Sequence, residues 1–313
     1  MELLRRTFRA LRASLPVMLL VALCGPPSTV LATESDVLVL GRISDDPNAH
    51  YDQLKPLLDY VVPRMAGVGI REGRVLMARD PQQMASYIRR GRVDWVTETA
   101  GSGMLLSERA GAVPLLLTER NGKSHYHTVF FARRDSGIAG MDDLRGHCIA
   151  FQRPSSTSAY FVPAGELLER DLKLEILLSP EDPVASDALG YLFARSELNI
   201  ATWVHKGVAD VGVMSNLDWG NPARMPDAFK RDLVVIGRTG EYPRALELVR
   251  ADLPAKVQER LREVLTAAAT DPAASKALHQ FFGTTRFLPM DADSRRALER
   301  IQTGVRRVRS EVE

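Results

Sequence analysis

The fold of this chain is decided by the stretch Gln152-Arg153-Pro154-Ser155-Ser156-Thr157-Ser158-Ala159-Tyr160-Phe161-Val162-Pro163. It follows the apolar run Cys148-Ile149-Ala150-Phe151, which predicts a short buried strand. It precedes three leucines at helical spacing, Leu167, Leu168 and Leu172. A strand, a hydroxyl-rich turn and a helix are therefore expected in that order.

The turn has the chemistry of an anion-binding site. Ser156 is a good N-cap, and the next residues would open a helix with free backbone N–H groups beside the hydroxyls of Thr157 and Ser158. Pro163 removes one intrahelical bond, so the first turn should end or kink there, with Pro163 at the first position of the helix that continues. These donors suit a tetrahedral oxyanion. An ordinary polar loop with a cap is the alternative.

The first 32 residues have the layout of a secretory signal. Four arginines precede the apolar run Leu15 to Leu23, and Val30-Leu31-Ala32 suits cleavage after Ala32. We therefore expect a periplasmic protein that meets the membrane only through a partner. Cys24 raises the alternative of a lipid anchor, which the large residue before it disfavours.

Cleavage would also change the charge and the cysteine content. Removal of four arginines and one glutamate lowers the formal net charge from +2 to −1, which leaves no basic excess of the kind that nucleic-acid binding needs. Only Cys148 remains, so no intramolecular disulfide is expected. The remaining length suits two domains, and we expect a monomer.

Strand-like apolar runs alternate with helical patterns through the first part of the chain. The strands are predicted at 37–40, 74–78, 93–96 and 113–117. This alternation predicts a mostly parallel sheet with helices on both faces. Ligands of such sheets bind beyond the carboxyl ends of the strands, so Thr97, Glu98 and Thr99 are pocket candidates. Their alternative role is to cap the next helix and to favour its dipole.

A second alternation runs from Tyr126 to Ile236 and includes helical stretches predicted from about Pro183 to Phe193 and from Ser196 to Val204. We expect the chain to cross between two domains near residues 120–130 and 237–243. Two crossings imply that residues 126–238 form a domain inserted into a first domain made of residues 33–125 and 239–313.

Several segments in this order resemble the periplasmic phosphate, phosphite and phosphonate-binding proteins of ABC importers. The most specific is the Ser-Thr-Ser turn with its downstream proline. The others are Gly91-Arg92-Val93-Asp94-Trp95, Tyr126 ahead of a strand, Asp142-Asp143-Leu144-Arg145-Gly146, Trp203 to Gly212, Val249 to Pro254 and Phe282 to Phe287.

This resemblance implies a type II periplasmic binding protein, an α/β fold of two domains that close on a ligand by a hinge with two crossovers. It implies that Ser156, Thr157 and Ser158 hold the anion, with Tyr126 at its oxygens and Glu98 and Thr99 facing it from the first domain. Further candidates are Ser155, Thr97, His127 and Glu197. It implies no cofactor, no metal and no catalysis; the partner would be an ABC permease or, in an alternative sensing role, a sensor kinase.

If Glu98 lines the pocket, it limits which ionisation states and substituents the ligand can have. A carboxylate beside a fully ionised oxyanion is repelled in a poorly solvated cleft. A ligand that keeps a proton or carries an amine would instead donate a hydrogen bond to this carboxylate. The alternative is a helix-start acid that points away from the ligand.

Other functions find little support in the residues. A hydrolase or transferase would need a nucleophile and base, and the chain has no Gly-x-Ser-x-Gly, phosphate-binding Gly-Lys-Ser/Thr or dinucleotide-binding segment. His125 and His127 could share a strand face, but no Cys or Asp cluster accompanies them. Cys148 is expected in the core, with an arsenic-type oxyanion sensor as the alternative.

Overall fold

The structure is a computed structural model and describes residues 36–312. The predicted signal segment, residues 1–32, lies outside that range. The strands are β1 Val37–Ile43, β2 Glu72–Ala78, β3 Trp95–Thr99, β4 Val113–Arg120, β5 His125–Tyr126, β6 Thr128–Arg133, β7 Cys148–Phe151, β8 Lys173–Ile176, β9 Ala188–Phe193, β10 Val211–Ser215, β11 Leu233–Arg238, β12 Tyr242–Pro243, β13 Ala245–Val249 and β14 Thr284–Leu288. The helices are α1 Pro47–Arg64, α2 Pro81–Arg89, α3 Ala100–Ala110, α4 Val162–Glu169, α5 Glu197–His205, α6 Asn216–Trp219, α7 Asp227–Lys230, α8 Ala255–Ala267, α9 Ser275–Gln280 and α10 Ala292–Glu311.

The first sheet has six strands in the order β14-β4-β13-β3-β1-β2. Strand β1 pairs in parallel with both β2 and β3, so the carboxyl ends of these three strands meet at one edge. Strand β13 enters between β3 and β4 and runs antiparallel to both. The sequence predicted a strand at 93–96, whereas β3 ends at Thr99 and α3 begins at the next residue. The predicted pocket residues Thr97 to Thr99 therefore close the strand instead of following it.

The second sheet also has six strands, in the order β11-β6-β10-β7-β9-β8. Neighbouring strands from β10 to β8 are parallel, and only β6 opposes them. The helix predicted from Pro183 to Phe193 is wrong, because Ala188–Phe193 forms β9 between β7 and β8. A strand buried on both faces shows a continuous apolar run without alternation, and such a run does not distinguish a strand from a buried helix.

The chain passes between the two sheets twice. Strand β5 lies on the outward passage and β12 on the return, and the two pair antiparallel with Tyr126 opposite Tyr242. The rings of these tyrosines lie 4.8 Å apart between centroids. The domain limits 33–125, 126–238 and 239–313 stay predictions. For brevity, the first-sheet side below means the first sheet with helices α1 to α3 and α8 to α10, and the second-sheet side means the second sheet with helices α4 to α7.

Helix α10 contacts helices from both sides. It packs against α3 of the first-sheet side and against α4 of the second-sheet side. Its apolar stripe, which includes Leu298, Ile301 and Val305, is buried in these contacts. Helix α10 is therefore held by apolar contacts on both sides. The contact with α4 is very close, because a Cβ added to Gly165 would lie 3.2 Å from the Cα of Gly304.

Candidate functional site

The Ser-Thr-Ser turn folds as the sequence predicts. Strand β7 ends at Phe151, a single π-turn covers Thr157–Phe161, and α4 continues from Val162 with Pro163 in its first turn. The predicted N-cap is confirmed, because the Ser156 hydroxyl accepts a hydrogen bond of 3.2 Å from the backbone N–H of Ala159. The residues of the π-turn are all buried, and Thr157 and Ser158 line the adjoining cleft.

This turn forms one wall of a cleft of about 340 Å³ between the two sides. The opposite wall is made by the carboxyl ends of β1, β2 and β3. The lining residues that sequence analysis had selected are Ser155, Ser156, Thr157, Ser158, Tyr126, Glu98, Thr99 and Glu197. The structure thus brings eight of the ten predicted residues to one cavity, from four separate parts of the chain.

Two predicted residues do not line the cleft. Thr97 points into the core of the first sheet, where its hydroxyl donates a 2.9 Å hydrogen bond to Glu247. A strand places alternate side chains on opposite faces, so Thr97 faces the core while Glu98 faces the cleft. The His127 ring lies 4.0 Å from the Glu241 carboxylate, on the return passage between the sheets.

Strands β1 and β2 also contribute to the cleft, through residues that were not predicted from the sequence. Arg42 lies one residue before the end of β1; Ser44 and His50 follow β1, and Arg79 follows β2. All four line the cleft. The rule that selected Thr97 to Thr99 applies equally to these strands, because parallel strands end at the same edge. Gln152 and Arg153, which precede the turn, complete the second wall.

Glu98 lies deep in the cleft beside a cation. Its side chain is 4% exposed, and its Oε1 accepts a 2.8 Å hydrogen bond from the backbone N–H of Ile43. Burial raises the pKa of Glu98, while the nearby Arg42 guanidinium opposes this rise. Arg42 stacks on Phe282, with Cζ 4.3 Å from the ring centroid, and its buried Nε has no hydrogen-bond partner. The pair therefore places the Arg42 guanidinium beside a carboxyl whose pKa is raised by burial.

A second carboxyl lies on the opposite wall. Glu197 accepts a 2.8 Å hydrogen bond from Gln152 and lies 3.5 Å from the Arg224 guanidinium. Burial, followed by the charge of Asp218, raises the pKa of Glu197. Glu197 can accept a hydrogen bond from a polar group on a ligand.

Tyr126 is held beside the turn. It is 6% exposed, and its hydroxyl shares a hydrogen bond with the Ser158 side chain. Burial raises the pKa of Tyr126, so the phenol stays protonated. Tyr126 and Ser158 both line the cleft.

Direct bonds cross the cleft. The Thr157 hydroxyl accepts a 2.9 Å hydrogen bond from the Gly101 backbone N–H and donates one of 2.9 Å to the Thr99 hydroxyl. At the mouth, Arg153 and Asp45 form an ion pair of 2.6 Å between partly exposed side chains. The two walls are thus in contact through the turn itself and through this pair.

A buried polar cluster lies beneath the first wall. Glu247 is fully buried and accepts hydrogen bonds from Trp95 at 2.6 Å, Thr97 at 2.9 Å and Thr118 at 2.6 Å. Burial raises the pKa of Glu247 to about 7. Burial likewise lowers the pKa of neighbouring Arg120 to about 9.

Neither Cys148 nor His125 lines the cleft. Cys148 is 7% exposed, and burial raises the pKa of its thiol to about 12, so the thiol stays protonated at neutral pH. His125 shares hydrogen bonds of 3.0 Å with Ser124 and 2.9 Å with Ser294. Among residues 36–312 there is no group of three or more His, Cys, Asp or Glu that could hold a metal ion. No helix within that range has the length and apolar character needed to cross a membrane.

Residues 42–295 match the family model of the ABC transporter, phosphonate, periplasmic substrate-binding protein. The chain belongs to this family. Phosphonate-binding family members are solute-binding components of ABC transporters, which places this chain in that class and outside the cytoplasm. The predicted family and fold, a periplasmic binding protein with two mostly parallel sheets flanked by helices, are confirmed.

Several solved structures resemble the chain over most of its length. XAC2383 from Xanthomonas citri, solved bound to chloride ion, is 55% identical, with a TM-score of 0.84 over 89% of this chain and 100% of that chain. Its structure bound to ATP gives 54% identity and a TM-score of 0.83 over the same shares, 89% and 100%. PhnD1 from Prochlorococcus marinus (MIT 9301), in complex with methylphosphonate, shares the fold at 16% identity, with a TM-score of 0.59 over 87% of this chain and 98% of that chain.

Proposed function

We propose that this protein captures a small phosphorus oxyanion outside the cytoplasm and delivers it to an ABC importer. The observation that carries the proposal is the cleft of about 340 Å³ in which the Ser156 to Ser158 turn faces Arg42 and Glu98. The turn supplies neutral N–H and O–H donors, and Arg42 supplies a positive charge. Neutral donors and a positive charge together suit a phosphorus oxyanion, because charge-assisted hydrogen bonds are stronger than hydrogen bonds between neutral groups.

The ligand keeps a proton in this proposal. Glu98 is buried 2.8 Å from a backbone donor and beside Arg42, so a fully ionised ligand next to an ionised Glu98 would meet strong repulsion. One proton shared between Glu98 and a ligand oxygen removes that repulsion. The site therefore favours the hydrogen phosphonate, hydrogen phosphate or hydrogen phosphite anion over the fully ionised form.

The ligand also carries a polar substituent. A cleft of about 340 Å³ lies at the lower end of the range for small organic ligands, roughly 300–1,000 Å³. A bare oxyanion bound at the turn would leave space toward Glu197 and Gln152. An amine or hydroxyl on the substituent would satisfy the Glu197 carboxylate, so an aminoalkylphosphonate fits the lining better than phosphate does.

A phosphate ester is the second candidate. The ATP-bound structure of a protein 54% identical to this chain favours it, and Arg79 and Arg153 at the cleft could accompany further phosphate groups. In this candidate the terminal phosphate would occupy the same turn, and the remainder of the nucleotide would extend from the mouth.

Isothermal titration of the mature, ligand-free protein tests these candidates. The panel is phosphate, phosphite, methylphosphonate, 2-aminoethylphosphonate, arsenite and ATP. The site variant is Tyr126→Phe/Ser158→Ala, which removes two hydroxyls that bond to each other and so leaves neither one buried without a partner. Ser186→Ala, at an exposed serine on the second-sheet side, is the matched control.

We expect 2-aminoethylphosphonate to bind best and the double variant to lose at least about tenfold in affinity, because each lost hydrogen bond to a charged group contributes roughly 1.5–3 kcal/mol. Saturable ATP binding with no phosphonate binding would favour the second candidate. If no phosphorus compound binds the folded protein, the oxyanion proposal fails.

Import is tested separately from binding. A strain that lacks this protein should lose uptake of the bound compound, and the Ser186→Ala chain should restore uptake while the double variant should not. Unchanged uptake together with an altered transcriptional response would instead support the sensing role and its kinase partner.

A further inference from the structure

The N-terminus of α3 receives its cap from across the cleft. Thr99 is the N-cap residue of α3, yet its side chain makes no capping hydrogen bond to its own helix. The second helical N–H, that of Gly101, instead donates to the Thr157 hydroxyl on the second-sheet side at 2.9 Å. A side-chain oxygen that accepts from the second or third N–H of a helix is the defining contact of an N-cap.

Gly101 has the geometry that such a contact requires. A Cβ at this position would lie 2.8 Å from the Thr157 Oγ1 and 3.3 Å from the Thr157 Cα. The absence of a side chain therefore lets the turn approach α3 closely. Thr157 is 3% exposed, and its hydroxyl donates its proton to the Thr99 hydroxyl. The two hydrogen bonds of the Thr157 hydroxyl, to Gly101 and to Thr99, are therefore buried and both have partners in the protein.

We propose that Thr157 is a latch that caps α3 only when the two sides approach, and so favours the closed arrangement before any ligand binds. The Thr157 hydroxyl then acts between the two walls, and the ligand is held by its neighbours in the turn. The link to affinity rests on the proposed function: if only the closed arrangement binds tightly, the apparent affinity falls with the population of that arrangement. The capping contact itself needs no ligand.

The amide of Gly101 reports the latch directly. The first four N–H groups of a helix have no partner within it, so Thr157 supplies the hydrogen bond that slows exchange of the Gly101 amide. Mature protein labelled with ¹⁵N-glycine and free of ligand should therefore show a protected Gly101 amide in hydrogen exchange measured by NMR. Solution scattering on the same samples gives the radius of gyration as an independent measure of closure.

Thr157→Val keeps the shape and removes the hydroxyl. We expect exchange of the Gly101 amide to rise roughly tenfold, the ligand-free protein to expand, and ligand affinity to fall by a similar factor, in line with loss of a cap and a buried hydrogen bond. Thr157→Ser keeps the hydroxyl, so amide exchange and ligand affinity should stay within about threefold of the original protein and the radius of gyration should be unchanged.

Gly101→Ala separates the latch from a merely structural role. Alanine is the better helix former, so a purely local effect would stabilise α3. If Thr157 is a latch, Gly101→Ala should instead disfavour closure. The added Cβ blocks the approach of Thr157, so the radius of gyration of the ligand-free protein should increase. Gly67→Ala is the matched control, since a Cβ at Gly67 meets nothing within 4 Å.

Two results would overturn the inference. One is an unprotected Gly101 amide in the original ligand-free protein; the other is unchanged exchange and radius of gyration in Thr157→Val. If Thr157→Val fails to fold, Gly101→Ala decides the outcome, because a radius of gyration equal to that of the original protein would overturn the latch. Titration of the same samples keeps the two proposals apart, because a protein with an intact latch that binds no phosphorus compound refutes the proposed function and not the latch.

Discussion

The buried carboxyl of Glu247 should make the protein lose stability as the pH rises through the acidic range. The side chain is fully buried under the cleft wall, where it accepts hydrogen bonds from Trp95, Thr97 and Thr118. Burial raises the pKa of Glu247 from its ordinary value of 4.5 to about 7, against the opposing effect of these donors and of Arg120.

The direction and size of the effect follow from proton linkage. Between pH 4.5 and about 7 the unfolded chain has released the Glu247 proton while the folded protein still holds it. The stabilising contribution of Glu247 is therefore complete below pH 4.5 and is lost as the pH rises to about 7. A shift of this size corresponds to about 3 kcal/mol in the free energy of unfolding.

Glu247→Gln removes this dependence and keeps the shape. The amide can turn its carbonyl toward the Trp95 N–H and its NH₂ toward the hydroxyl oxygens of Thr97 and Thr118. Relative to the original protein, the variant should gain about 3 kcal/mol of stability as the pH rises from about 4.5 to 7.5. Urea unfolding followed by circular dichroism at several pH values measures this difference.

Glu299→Gln, at an exposed position on α10, controls for the loss of one acidic group. Its stability should follow that of the original protein at every pH. If the difference in unfolding free energy between Glu247→Gln and the original protein stays constant to within about 0.5 kcal/mol across the range, Glu247 does not carry a buried titrating proton and the reasoning fails.

Three further predictions concern the cleft and the contact between helices. Glu98→Gln should flatten the pH dependence of phosphonate affinity measured by calorimetry. Burial raises the pKa of Glu98, and its ionisation at higher pH adds a charge that repels the ligand. Parallel curves of affinity against pH for the variant and the original protein would contradict this. Arg153→Met should weaken ligand affinity less than about fivefold, since its pair with Asp45 is partly exposed and such pairs contribute roughly 0–1 kcal/mol; a much larger loss would mean that Arg153 contacts the ligand. Gly165→Ala should melt at a lower temperature than Gly304→Ala, because a Cβ at Gly165 lies 3.2 Å from backbone and one at Gly304 lies 3.7 Å away; equal melting temperatures would show that α4 shifts freely on α10.

The turn was predictable because its signals are local. A short apolar strand, a capping serine, consecutive hydroxyls and a proline in the first helical turn all lie within the 16 residues from Cys148 to Pro163. Each feature has one favoured conformation, and together they predict the strand, the cap and the start of α4 that the structure contains.

The opposite wall was only partly predictable because it depends on strand order. Glu98 and Thr99 were selected from their own strand, but Arg42 and Ser44 reach the cleft because β1 lies between β3 and β2. No local pattern states which strands are neighbours. The helix predicted at β9 was wrong for a related reason. Gly190 packs tightly against Leu177 and Val184, and a local sequence pattern does not show such contacts.

The position of β13 has a consequence for the order of folding. The strands of the second sheet all lie between Thr128 and Arg238, so that sheet is complete in sequence as soon as β11 is available. The first sheet is still incomplete at that point, because β13 must enter between β3 and β4. Those two strands precede β13 by more than a hundred residues. Contacts between distant segments form slowly and leave strand edges open in the meantime. The half of the protein that begins first along the chain is therefore the half that finishes last, and its open edges are where a partly folded chain is most exposed to aggregation.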